Sequence, residues 1–131
     1  MKKLIVSLGL ALTLSFGATL DEGKKAFDKG DYNTALIIFE DLASKNNAKA
    51  KYNLGVMYDN GYGVKQDYKK AKEWYEKAAA QGNVEAQYNL GFMYYNGHGI
   101  KQDYKKAKEW YEKAAAKGYA AAQSNLGFMY D

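Results

Sequence analysis

Two stretches of this chain are nearly identical. Residues 52–81 read YNLGVMYDNGYGVKQDYKKAKEWYEKAAAQ, and residues 88–117 read YNLGFMYYNGHGIKQDYKKAKEWYEKAAAK. The two differ at five of thirty aligned positions and lie 36 residues apart, and residues 125–130 (NLGFMY) begin a third copy at the same spacing. Repetition with a period of about 20–50 residues is typical of solenoids, in which each unit packs on its neighbours. The sequence therefore predicts a repeat array.

Each unit has the hydrophobic pattern of two helices. Within residues 68–80, alanine and aromatic residues recur three and four positions apart, which predicts a helix with one apolar face. Asp67 is a favourable N-cap for this helix, and Gly82 can adopt the positive φ that often follows a helix end. A partner helix is predicted at residues 84–95. The turn between the two helices of a unit, residues 60–66 in the first copy, is rich in glycine.

Glycine also recurs inside the predicted first helix of each unit, at Gly55, Gly91 and Gly127. Glycine in a helix interior costs about 1 kcal/mol relative to alanine, so its repetition predicts that another helix approaches closely at each position. In the turns, Val64 and Ile100 are expected to point inward.

Residues 1–18 have the layout of a secretory signal peptide. A short basic start precedes an apolar run of 13 residues at 4–16, and the small residues Ser15, Gly17 and Ala18 lie at its end. The run is shorter than the ~20 apolar residues that span a bilayer. We expect cleavage after Gly17 or Ala18 and an exported product, periplasmic or secreted. The alternative is a buried N-terminal helix.

The repeated motifs Tyr-Asn-Leu-Gly, Asn-Gly-x-Gly-Val/Ile and Trp-Tyr-x-Lys-Ala-Ala together resemble the Sel-one-like repeat (SLR), a relative of the tetratricopeptide repeat. Residues 23–39 are similar to an ordinary tetratricopeptide repeat. The resemblance implies an all-α fold, a right-handed superhelical solenoid of antiparallel helix hairpins with seven helices: three hairpins and a lone last helix. The expected divisions are a signal peptide at 1–18, a tetratricopeptide-like repeat at 19–47, SLR repeats at 48–83 and 84–119, and an incomplete SLR repeat at 120–131.

The resemblance further implies that the first helices line a concave surface, which in tetratricopeptide-like folds docks extended peptides. Asparagine suits this role because its side chain both donates and accepts hydrogen bonds, and aromatic neighbours add contact area. The alternative is structural: the asparagines bond neighbouring helices, and the aromatic residues stack between repeats. The residues expected on this surface are Tyr52, Asn53, Val56, Asp59, Tyr88, Asn89, Phe92, Tyr95, Ser124, Asn125 and Phe128.

Other conspicuous residues are interpreted as structural. Trp74 and Trp110 occupy the same repeat position, which favours packing between repeats over a partner-binding patch. The lysine-rich second helices interleave Lys with Glu, as solvated helix faces do. His98 takes the turn position that Tyr62 fills in the preceding unit, and is interpreted as a surface substitution.

Composition narrows the function classes. The chain has no Cys, no Pro and no Arg, and its formal net charge is +4. No disulfide or thiolate metal site can form, and a single histidine disfavours a zinc site. The absence of Arg and the mild charge argue against a nucleic-acid partner. We expect no metal and no other cofactor.

The sequence thus predicts a non-catalytic exported adaptor that binds a protein or peptide, with no stable membrane insertion after signal cleavage. A third hypothesis is a free-standing regulator whose partner is an integral membrane complex. The alternative is a β-lactamase-like or penicillin- or peptidoglycan-fragment-binding protein, because a cysteine-rich branch of the SLR family often carries that label. However, none of the four serines has a lysine three residues later, as the Ser-x-x-Lys motif requires.

The predicted last helix, residues 120–130, ends in apolar residues rather than in the polar face expected of a solenoid cap. Two interpretations stay open. The chain is truncated there, or the C-terminal edge is completed by a partner or by self-association with a second copy.

Overall fold

A computed structural model describes residues 17–130, so most of the predicted signal peptide lies outside the described residues. The described chain folds into seven helices and no strands, which confirms the predicted all-α class and helix count. None of these seven helices has the length and hydropathy needed to cross a membrane. The helices are α1 (Leu20–Asp28), α2 (Tyr32–Ser44), α3 (Ala48–Asn60), α4 (Tyr68–Ala80), α5 (Val84–Asn96), α6 (Tyr104–Ala116) and α7 (Ala120–Tyr130).

Side-chain caps determine where the helices begin. Asn83 caps α5, and Asp67 caps α4 as predicted, with its Oδ1 accepting from the backbone N–H of Lys70 at 3.1 Å. Each cap satisfies one of the backbone donors that a helix leaves unpaired at its start. Helix α4 has the predicted bounds, 68–80, and α5 ends at residue 96, one residue beyond its predicted end. Gly82 has the predicted positive φ, +89°.

The helices pack in series. Each one contacts chiefly the helix before it and the helix after it along the chain. The buried residues form three successive clusters, at positions 26–57, 71–93 and 107–122, instead of one central core. This arrangement of hairpins with neighbour-to-neighbour contacts is the solenoid that the 36-residue period predicts.

The repeated helix glycines hold the two helices of each SLR hairpin close together. A Cβ atom at Gly55 would lie 2.5 Å from the ring of Tyr75, and one at Gly91 would lie 2.6 Å from the ring of Tyr111. The predicted close approach is therefore confirmed at these two positions. At Gly127 the same expectation is wrong: no atom lies within 4 Å of an added Cβ, because no helix carrying an equivalent tyrosine packs on α7 in the described chain.

The glycine-rich turns fold back onto the preceding unit. The Tyr62 ring stacks on Tyr32 with centroids 5.1 Å apart, and the His98 ring lies 4.0 Å from that of Tyr68. The neighbouring Gly99 has φ +72°, and a Cβ there would collide with the side chain of Tyr68. These turns therefore connect successive units as well as the two helices of one unit.

The tryptophans pack against clusters that span two units. Trp74 packs against the cluster at 26–57, and Trp110 packs against the cluster at 71–93; each cluster contains residues of the tryptophan's own unit and of the preceding one, which agrees with a structural role. Each indole also lies beneath a lysine ammonium, with Lys77 4.6 Å from the centre of the Trp74 ring. Val64 and Ile100 are half-buried and pack inward, as expected.

The unequal environments of the helix glycines predict opposite effects of alanine. Gly91→Ala should lower the free energy of unfolding by about 1–3 kcal/mol, because the new methyl group must displace the buried Tyr111 ring. Gly127→Ala should leave it unchanged or raise it by about 0.4–1 kcal/mol, because its site is open and alanine restricts the unfolded chain. Urea unfolding of both variants measures the difference. Equal stabilities would contradict the assigned role of the Gly91–Tyr111 contact.

Candidate functional site

A depression opens between α5 and α7, with α6 beneath it. Its volume is about 250 Å³. We call it the C-terminal depression; its lining residues are Tyr88, Phe92, Tyr95, Asn96, Tyr111, Asn125 and Phe128. None of these residues is charged, and Phe92 and Phe128 are 47% and 79% exposed.

A second depression of about 250 Å³ opens between α1 and α3, with α2 beneath it. Val56 lines it at the repeat position that Phe92 and Phe128 occupy in the later units. Residues 36 apart are equivalent in this array, so both depressions open on one face, which we call the first-helix face. The lining residues of this N-terminal depression are Lys24, Phe27, Asp28, Phe39, Tyr52, Asn53 and Val56.

Between the two depressions, three elements meet at Asp59. The Tyr75 hydroxyl donates to Asp59 Oδ2 at 3.1 Å, and His98 Nε2 lies 3.2 Å from Asp59 Oδ1. Because a carboxylate can only accept, this contact assigns the imidazole proton to Nε2. His98 therefore links its turn to the preceding unit, and its interpretation as a mere surface substitution is wrong.

The tyrosines and asparagines of the first helices also have structural contacts. Asn125 Nδ2 donates to the Tyr88 hydroxyl at 3.3 Å, and the Tyr88 ring lies 5.5 Å from that of Tyr111 and 5.1 Å from that of Tyr119. Tyr52 packs on Tyr75 in the same way at 5.9 Å. The Asn125–Tyr88 hydrogen bond joins two repeats, as the structural alternative expects, whereas the Tyr52–Tyr75 and Tyr88–Tyr111 ring pairs each lie within one repeat. Four of these residues also line the depressions: Tyr52, Tyr88, Tyr111 and Asn125.

The structure brings most of the predicted surface residues to these two places. Ser124 is exposed on α7, and Asp59 and Asn89 lie at the junction between the depressions. The predicted residues that line a depression are Tyr52, Asn53 and Val56 in the N-terminal one, and Tyr88, Phe92, Tyr95, Asn125 and Phe128 in the C-terminal one.

Sequence reasoning missed the contribution of α1. Gly23 of α1 packs on Phe39 as Gly55 packs on Tyr75, so the two glycines are equivalent. They are 32 residues apart rather than 36, because the turn between α1 and α2 is four residues shorter than the later turns. Aligning the chain on Gly23 would have placed Lys24 at the position of Val56, and so on the first-helix face.

Burial sets the acid–base properties of the tyrosines beneath this face. Burial raises the pKa of Tyr111 to about 12, although hydrogen bonding with Asn125 opposes the shift. Burial, reinforced by the negative charge of Asp59, raises the pKa of Tyr75 well above its ordinary value of 10. Both hydroxyls therefore stay protonated at pH values where an exposed tyrosine ionises, and Tyr75 donates a hydrogen bond to Asp59. Within residues 17–130 no cluster of three or more His, Asp or Glu side chains could hold a metal ion.

These shifts predict loss of stability in alkali. The folded chain keeps protons on Tyr75 and Tyr111 at pH values where the unfolded chain has lost them, so their contribution is complete below pH 10 and declines as the pH rises to about 12 and beyond. Tyr111→Phe should flatten this decline. Tyrosinate absorbance and circular dichroism, followed together across this range, measure it. Ionisation of all tyrosines near pH 10 in the folded chain would contradict the assignment.

Solved structures share this fold. The chain is 33% identical to the Sel1 repeat protein from Oxalobacter formigenes, with a TM-score of 0.81 over 85% of this chain and 46% of that one. It is 41% identical to c5321, a protective antigen of uropathogenic Escherichia coli with an SLR fold, with a TM-score of 0.73 over 76% of this chain and 21% of that one. This chain therefore spans about half or less of the length of these two proteins.

A smaller structure aligns over nearly its whole length. Helicobacter pylori cysteine rich protein B is 26% identical, with a TM-score of 0.62 over 82% of this chain and 98% of that one. No curated protein matches the chain. The model of the Sel1 repeat matches residues 48–83, 84–119 and 120–131, which is more than half of the chain. With two complete copies of the 36-residue unit, their glycine–tyrosine contacts and this match, the chain belongs to the Sel1 repeat family.

Proposed function

We propose that this protein is a non-catalytic scaffold that binds a peptide segment of a protein partner on its first-helix face, the surface expected to be concave. Sel1 repeats are generally scaffolds for protein–protein interaction. The observation that carries the proposal is the pair of depressions on this face. Eight of the eleven residues expected on it from the sequence line one depression or the other.

The chemistry of this face suits a peptide. Phe92 and Phe128 are exposed aromatic side chains. Covering them with a partner stabilises the complex by about 25 cal/mol for each Å² of apolar surface buried. Asparagine amides between them can both donate to and accept from a peptide backbone. Apolar contact supplemented by a few placed polar groups is the usual composition of a binding site.

The alternative of a β-lactam-binding or peptidoglycan-fragment-binding protein is not favoured. Ser44 and Ser124 are the serines of the described chain, and neither is followed by lysine three residues later. Ser44 donates its hydroxyl proton to the backbone carbonyl of Asp41, which is an ordinary helix-terminal contact.

We further propose that the protein is exported. Support comes from the sequence of residues 1–18, in which a basic start, a short apolar run and small residues follow in the order of a signal peptide. Partners would then be met in the periplasm or outside the cell.

Export predicts a shortened product. When the full chain is expressed in a bacterium, the periplasmic or secreted fraction should contain a protein that lacks the first 17 or 18 residues, as read by mass spectrometry. Leu10→Arg, which interrupts the apolar run, should keep the full-length chain in the cytoplasm. An uncleaved chain that stays in the cytoplasm without this substitution would contradict export.

Peptide binding predicts a localised loss. Selection from a displayed library of random peptides should enrich peptides that bind the purified chain. Phe128→Ala should lower the affinity for these peptides by about tenfold or more, because it removes an aromatic contact. Phe128 is 79% exposed, so this change should leave the stability unaffected. Lys105→Ala, on the exposed surface of α6, is the matched control and should bind as the parent does. Absence of any enriched peptide, or equal binding by both variants, would contradict the proposal.

A further inference from the structure

The two complete SLR units hold nearly the same backbone with slightly different side chains. Gln66 Nε2 donates to the Asp59 carbonyl at 2.7 Å and to the Tyr68 hydroxyl at 3.0 Å. Gln102 Nε2 makes the equivalent bonds to the Tyr95 carbonyl at 2.8 Å and to the Tyr104 hydroxyl at 2.9 Å. The backbone at positions 59 and 95 is therefore held alike, and it does not dictate which side chain each position carries.

Three of the five differences between the units fall on or beside the first-helix face. Val56 in one unit corresponds to Phe92 in the next, and Asp59 corresponds to Tyr95. The third difference puts His98 in the turn of the second unit, from which it reaches Asp59. These substitutions change a small aliphatic residue and an acid into two aromatic residues at matching places.

The other two differences lie elsewhere and preserve their contacts. Val64 and Ile100 are both half-buried aliphatic residues that pack inward from the turns. Gln81 and Lys117, after the second helices, each donate to a backbone carbonyl of the preceding unit. Two of the five differences therefore lie on the first-helix face itself, at positions 56/92 and 59/95, and both change the chemical class of the side chain.

In the first of the two units, the carboxylate of Asp59 has hydrogen-bond partners within the protein. Each carboxylate oxygen of Asp59 has a partner within the chain, Tyr75 on one side and His98 on the other. The Asp59 carboxylate is therefore already engaged within the chain, and a ligand could use only its remaining lone pairs.

In the second unit, the matching side chains keep exposed surface, although the Tyr95 ring packs edge-to-face on that of Tyr104 with centroids 5.2 Å apart. Phe92 and Tyr95 are 47% and 39% exposed and line the C-terminal depression with Phe128. An apolar cavity of about 150 Å³ holds a benzene molecule, so a depression of about 250 Å³ has room for one indole or phenol ring. Aromatic rings pack edge-to-face or offset against one another, which adds to the gain from burial.

The absence of charge in the lining restricts the ligand further. A charged side chain entering the C-terminal depression would lose hydration and meet no opposite charge among the lining residues. The N-terminal depression differs in this respect, because Lys24 and Asp28 belong to its lining.

We infer that Phe92 and Tyr95 determine which peptides the first-helix face binds; this inference rests on the proposed peptide-binding function. Together with Phe128, these two residues form the site for one aromatic side chain in an uncharged stretch of the bound peptide. The preceding unit, with Val56 and Asp59 at the matching positions, lacks this site.

The other unit supplies the test. Phe92→Val combined with Tyr95→Asp gives the second unit the side chains that the first unit carries on the same backbone, so the chain should still fold. Ile100→Val is a matched exchange from the turn, outside the depression. The probe is N-acetyl-tryptophanamide, added to each chain while the backbone amide signals are followed by NMR, with N-acetyl-glutamic acid amide as the charged comparison.

For the parent chain, the tryptophan probe should shift the signals of α5 and α7, and the glutamate probe should bind at least about tenfold more weakly. The double exchange should weaken the tryptophan probe by about tenfold or more, because it removes two of the three exposed aromatic contacts. Ile100→Val should leave the affinity for the tryptophan probe unchanged. Unchanged binding by the double variant, or shifts confined to other helices, would overturn the inference.

The outcome separates this inference from the proposed function. If library peptides bind through Phe128 but the double exchange leaves their affinity and the tryptophan probe unaffected, the scaffold role stands and the assigned specificity falls. If no library peptide binds the parent chain, the scaffold role itself falls.

Discussion

The packing of a tyrosine ring against a bare helix glycine is the contact on which the rest of this structure depends. Gly91 lets α6 approach α5 closely enough for the Tyr111 ring to lie against the α5 backbone, and Gly55 does the same for Tyr75. The contact closes each hairpin without a disulfide, in a chain that has no cysteine. It also carries the tyrosine to the first-helix face, since Tyr111 is part of the lining of the C-terminal depression.

One geometric constraint therefore serves both stability and the site. The ring is buried between helices, which raises the pKa of its hydroxyl, while its edge reaches the residues that line the face. The turns add the second constraint, because each glycine-rich turn packs on the preceding unit through an aromatic or imidazole ring. Close contacts at the helix glycines thus hold the two helices of a unit together, and close contacts at the turn glycines fix one unit on the next.

Much of this could be predicted because repetition is informative. The period, the caps at Asp67 and its equivalents, and the helix glycines all follow from local chemistry that a sequence displays directly. The link from His98 to Asp59 could not be foreseen, since it joins residues 39 apart through a fold that must first be built. Gly127 shows that the motif alone does not establish the contact, because no neighbouring helix in the described chain packs against this glycine. The lining from α1 was hidden because a four-residue change in turn length shifts the period.

The central claim is that the first-helix face binds peptide through its C-terminal depression. A crystal structure of the chain with a library-selected peptide tests it most directly. The account predicts an aromatic side chain of the peptide between α5 and α7, in contact with Phe92 and Phe128. A peptide bound to the outer surface of the second helices, with this depression empty, would contradict it.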